Sequence, residues 1–131
     1  MKTSLARTNA ILPFEASADL TGFVGRFVVL FLGKVALVTL LPVKPLGILL
    51  TDGKAGDRVT VAIGAGGLAG TVRVKLAAAV AAPGIYLQLT ADGRVIPDAG
   101  TGSRTLVAQA LETGAIDELI EAVLIAPQSL T

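Results

Sequence analysis

Residues 56–74, GDRVTVAIGAGGLAGTVRV, constrain the fold more than any other stretch of the chain. Val59, Val61 and Ile63 alternate with Arg58, Thr60 and Ala62, and a strand with one buried face needs that period of two. The small residues from Gly64 to Gly70 let a chain reverse. Val72 and Val74 then resume the alternation against Thr71, Arg73 and Lys75. The stretch predicts a β-hairpin, and the pattern reads three times. Gly25-Arg26 opens FVVLFL, followed by Gly33-Lys34 and VALV, and Gly84 opens IYLQL, followed by Asp92-Gly93-Arg94 and Val95-Ile96. The expected fold is mainly β: a compact β-barrel or β-sandwich of stacked hairpins, with an extended N-terminal arm and at most one short helix.

Composition removes most reactive chemistry. The 131 residues contain no cysteine and no histidine, so disulfides, thiolate nucleophiles and the commonest general base are absent. A net charge of +1 does not announce nucleic acid. Five aromatic residues give little for bases to stack on. The apolar fraction, 53%, is high, yet no uninterrupted run reaches the roughly 18–20 residues of a membrane span. The apolar excess is therefore assigned to contacts between subunits, centred on residues 27–50.

Residues 1–20 show no sustained period, and Pro13 interrupts any helix, so they are read as an extended arm preceding a single β domain over 21–131. Leu5, Ile11, Leu12 and Phe14 give the arm more apolar weight than a solvated tail carries. Leu5, Leu12 and Phe14 are its candidate partner contacts. Phe27 to Phe31 is a continuous run of β-formers and is expected to be buried on both faces. A short strand at 48–50 leads into the Asp52-Gly53 turn. VKLAAAVAA fits a short helix or an irregular corner, since Pro83 ends it after about two turns. Strands are expected at 105–111 and, in preference to an amphipathic helix, at 119–125.

Gly64-Ala65-Gly66-Gly67-Leu68-Ala69 matches the dinucleotide-binding glycine pattern, but β-branched residues follow where a helix is required. Asp92 with Asp98, and Asp117 with Glu118 and Glu121, are the available carboxylate groupings for acid–base work. The first pair lies in turns and the second on a solvated edge. Lys34 and Lys54 sit at turns, without the flanking residues of a biotinyl or lipoyl carrier domain. No enzymatic activity, cofactor or metal is expected.

The order of short motifs carries a resemblance. Ala55-Gly56-Asp57-x-Val59-x-Val61 is followed by Gly70-x-Val72-x-Val74, then Ala79-x-Ala81-Ala82-Pro83-Gly84 and Ala91-Asp92-Gly93-x-Val95. Ala110-Leu111-Glu112-Thr113-Gly114-Ala115 and Leu119-Ile120-Glu121-Ala122-Val123-Leu124 close the series. Over residues 20–127 the chain resembles the head decoration, or capsid cement, proteins of tailed bacteriophages and prophages. It departs from that pattern over residues 24–50, which are more hydrophobic, and at Gln109, where the pattern has glycine. The resemblance implies a structural virion protein on the outer capsid surface, made in the bacterial host cytoplasm. It would bind the major capsid protein, clamp neighbouring coat subunits and associate with other copies of itself, preferably as a trimer. The alternative is a non-catalytic binding or regulatory β-barrel module that forms its own homo-oligomer.

Overall fold

The computed structural model describes residues 10–63 and 70–131, and the fold is all β, with no helix among the described residues. Leu5 and the Gly64–Ala69 pattern lie outside them. Ten strands form two five-stranded antiparallel sheets. The first holds β1 (Ile11–Glu15), β2 (Phe27–Phe31), β3 (Lys34–Leu37), β4 (Gly47–Leu49) and β5 (Arg58–Ile63), ordered β1-β5-β4-β2-β3. The second holds β6 (Val72–Lys75), β7 (Tyr86–Leu89), β8 (Val95–Pro97), β9 (Arg104–Ala110) and β10 (Leu119–Leu130), ordered β6-β10-β9-β7-β8.

Both sheets therefore follow one plan, offset by five strands. Each curls until its outer strands meet through a parallel bridge, Ala16 with Val35 in the first and Leu76 with Val95 in the second. Backbone bonds repeat at the same spacing of sixty residues: Ser17 N–H donates to the Val35 carbonyl at 2.9 Å, and Ala77 N–H to that of Val95 at 2.8 Å. Leu20 N–H donates to Gly53, and Val80 N–H to Gly114. Lys54 N–H is capped by Asp57, and Ala115 N–H by Glu118. The chain is a tandem duplication of one small barrel.

This corrects the threefold reading. Two of the three expected hairpins form, β2–β3 and β7–β8. The central one does not, because β5 pairs with β1 and β4 while β6 pairs with β10. A period of two fixes which face of a strand is buried but not which strand lies beside it. Residues 76–83 form a corner, held by the Leu76–Val95 and Val80–Gly114 bridges. The terminal segment is a strand, with Ile120, Ala122 and Leu124 buried.

Sheet one is apolar on both faces. Val28, Val35, Leu49, Val59 and Val61 fill its barrel with Ala16 and Leu20. Phe27, Ile48 and Ala62 point the other way and join the core of the second barrel. Two-sided burial explains the continuous run at the start of β2. It ends early, since Leu30 and Phe31 are exposed.

Residues 10–20 belong to the first barrel. Ile11–Glu15 pairs along its whole length with β5, and Ala16 and Leu20 are buried. Leu12 and Phe14 lie on the less exposed face of β1, with Ile11, Pro13 and Glu15 on the other. Pro13 marks an edge strand here, because its missing N–H faces away from β5. Pro97 takes the corresponding outward place on β8, opposite Leu87.

Candidate functional site

The antiparallel register brings the end of β2, the starts of β1, β3 and β4, and the end of β5 to one rim of the first barrel. The β2–β3 connection is a two-residue turn, since Phe31 pairs with Lys34. Leu32 and Gly33 both have positive φ, 51° and 79°, as a primed hairpin turn requires. Asparagine or glycine normally occupies the place of Leu32, and a branched L-residue in the left-handed region costs about 1 kcal/mol. Leu32 is 87% exposed and follows Leu30 and Phe31, both more than half exposed. Among the described residues nothing covers Leu32 to repay that strain. Beside the turn, Val29, Leu30, Val43, Pro45, Leu46 and Ile63 line an apolar groove, with Lys44 among them. Glu15, at the end of β1, pairs with Lys34 beside the turn at 2.7 Å.

The duplicated barrel supplies an internal control. Its β7–β8 turn carries Asp92-Gly93-Arg94 where the first carries Leu32-Gly33-Lys34. Here the polar residues are engaged. Arg94 holds Asp92 at 2.8 Å and Asp117 at 2.8 Å, and Thr90 donates to Asp92. The turn rests on the first barrel: Phe27 N–H donates to the Gly93 carbonyl at 2.8 Å, and Arg26 approaches Asp92 at 3.9 Å while lying over the Phe23 ring. Burial pushes the Asp92 carboxyl up, but hydrogen bonds from Arg94 and Thr90 outweigh it and hold the group at about 2, against an ordinary 3.8. A depressed folded value means that this contribution to stability is present above pH ~4 and is lost as pH falls toward about 2. Wild-type protein should lose stability across that interval, and Asp92→Asn should show a flatter acid limb. Equal slopes in melts at pH 4 and pH 2 would remove the clasp from the stability account.

Of the residues expected as partner contacts, Leu12 and Phe14 share one face of β1, and Leu5 lies outside the described residues. Leu12 and Phe14 are half-buried against their own barrel, and Phe14 packs on its core. Several large apolar side chains are exposed, and four of them, Leu30, Phe31, Leu32 and Tyr86, fall within stretches read as hairpins. The signal for them was the turn chemistry, leucine before Gly33 against aspartate before Gly93. The carboxylates Asp92, Asp98 and Asp117 are engaged by Arg94 and Arg104. Among the described residues no three His, Cys, Asp or Glu side chains gather as a metal set.

No family model and no curated protein matches the chain. Among solved structures it is similar to the crystal structure of the head fiber gp8.5 N base in bacteriophage phi29. The TM-score is 0.62 at 17% sequence identity, over 92% of this chain and 97% of that one. The likeness is one of fold, and it spans both barrels.

Proposed function

We propose that the chain is a non-catalytic structural protein of a tailed-bacteriophage head, bound to the outer capsid surface, where it stabilises contacts between coat subunits. The observation that carries this reading is the likeness of nearly the whole chain to the base of a head fibre. The order of glycine and valine motifs along the sequence points the same way. Self-association belongs to the same reading, with a trimer preferred, because apolar side chains remain exposed on the first barrel's rim.

Binding to particles tests it. Heads of the parent phage that lack the protein should take it up to a fixed number of copies per particle, read by co-sedimentation. Decorated heads should also release their DNA at a higher temperature than bare ones. Protein that stays in the supernatant at every concentration would overturn the reading.

A further inference from the structure

The contact that joins the two barrels is unsymmetrical. Beside the shared core, the first barrel contributes Gly25, Arg26 and Phe27 to it, and the second contributes β6 and the Asp92–Gly93 turn. Lys75 N–H donates to the Gly25 carbonyl at 2.9 Å, Phe27 N–H to the Gly93 carbonyl at 2.8 Å, and Arg26 faces Asp92. Each group has a counterpart in the other barrel. Gly25, Arg26 and Phe27 correspond to Gly84, Ile85 and Tyr86: Gly25 N–H donates to the Leu49 carbonyl as Gly84 N–H does to that of Ala110. Leu49 N–H returns a bond to Arg26 as Ala110 N–H does to Ile85, and Phe27 faces Ile48 as Tyr86 faces Gln109. Lys75 corresponds to Glu15, and the Asp92–Gly93 turn to Leu32–Gly33. Within one chain these counterparts do not meet.

We propose that they meet between chains, so that the Leu32–Gly33 turn and Glu15 of one copy dock on Gly84, Ile85 and Tyr86 of the next. A head-to-tail contact leaves one unused half at each end of the molecule, and further copies satisfy them one end at a time until a ring closes. Burial follows this division. Phe27, inside the filled contact, is 2% exposed, whereas Tyr86 is 47% exposed and Leu32 87%. The chemistry is matched as well. The filled contact sets a cation, Arg26, against an anion, Asp92, and the open one would set Ile85 against Leu32. Both partners change character together, which is what a contact between them requires. The open backbone groups are of the right kind: Glu15 N–H lies on the outward edge of β1, and Tyr86 N–H has no counterpart of the Phe27-to-Gly93 bond.

This contact supplies the self-association named above and stands apart from capsid binding. Sedimentation equilibrium on the purified full chain tests it through an exchange of the two pairs. Leu32→Asp alone and Ile85→Arg alone should each weaken self-association at least tenfold. Ile85 also packs against the second core, so Ile85→Arg lowers the melting temperature somewhat, whereas Leu32→Asp does not. Together they rebuild the Arg26–Asp92 pair between copies and should restore association to within about threefold of wild type. Because the chain has no cysteine, a mixture of Leu32→Cys and Ile85→Cys proteins should form a mixed disulfide dimer that neither protein forms alone. A wild type that stays monomeric at millimolar concentration, a double variant no tighter than the singles, or absence of the mixed dimer would each overturn the contact. Particle uptake, measured separately, fails only if the head-surface reading is wrong.

Discussion

Gly47→Ala is expected to destabilise the protein by about 3 kcal/mol and to lower its melting temperature by roughly 10 °C. Gly47 opens β4, the central strand of the first sheet, and pairs with Val28 on one side and Ile63 on the other. A Cβ there would lie far inside van der Waals contact with the Ala62 carbonyl oxygen and 2.8 Å from its carbon. Both are backbone atoms of a paired strand, so neither can swing away. The corresponding place in the second barrel holds Ala108, and the ladders on both sides of β9 shift register next to it. The first barrel keeps a regular ladder and so needs the glycine. Gly56→Ala is the control: Gly56 has φ of 87° with open space around it, and its loss is limited to about 1 kcal/mol of backbone strain. Urea titrations of the two variants give the comparison. Equal midpoints would mean that the approach of β4 to β5 is looser than described.

Truncation from the N-terminus should show a sharp boundary. A variant lacking residues 2–9 keeps the β1–β5 ladder and the bond from Ile63 N–H to the Ala10 carbonyl, so its first barrel should still form, read from its circular dichroism spectrum. A variant lacking residues 2–18 loses Leu12, Phe14 and Ala16 from the first barrel, together with the bridge to Val35. Each large apolar side chain removed from a core costs roughly 1.5 to 3 kcal/mol. Leu12 and Phe14 are half-buried and give less than the full figure. With the loss of the whole β1–β5 ladder and the closing bridge, however, the change consumes much of the roughly 5–15 kcal/mol that holds a domain folded, so the first barrel should not form. Loss of particle binding in that variant would report unfolding. A folded 2–18 deletion with native dispersion in its amide spectrum would show that β1 is dispensable.

Strand positions and buried faces were legible in the sequence because they depend on local periodicity. Val59, Val61, Val72 and Val74 are all on the faces that their alternation predicts. Partner choice was not legible, since Ile63 and Val72 sit in different sheets although a turn-like glycine run separates them. The β1 strand was hidden by Pro13, which breaks a helix and an inner strand alike but suits an outer one. The duplication was half visible: Gly33-Lys34-Val35 and Gly93-Arg94-Val95 recur sixty residues apart, yet the false hairpin between them made the repeat look threefold. The exposed rim was the least legible. Leu30, Phe31 and Leu32 continue a run whose first residues are core, and hydrophobicity cannot tell where β2 outlasts the barrel that covers it.

The paired closures also set a timetable for folding. Neither barrel can be sealed by neighbours in sequence, because β1 must find β5 and β6 must find β10 before Ala16 can reach Val35 or Leu76 can reach Val95. Such long-range pairing places a β protein at the slow end of two-state rates, in milliseconds to seconds. Until the seams shut, β1 and β8 are open edges on which another nascent chain could add a strand. Pro13 and Pro97 stand on the outward sides of those two strands, where a missing N–H interrupts such an addition. Prolines that do nothing for the finished barrels thus guard the interval before they exist, and replacing either with valine should raise the aggregated fraction on refolding while leaving the equilibrium melt nearly unchanged.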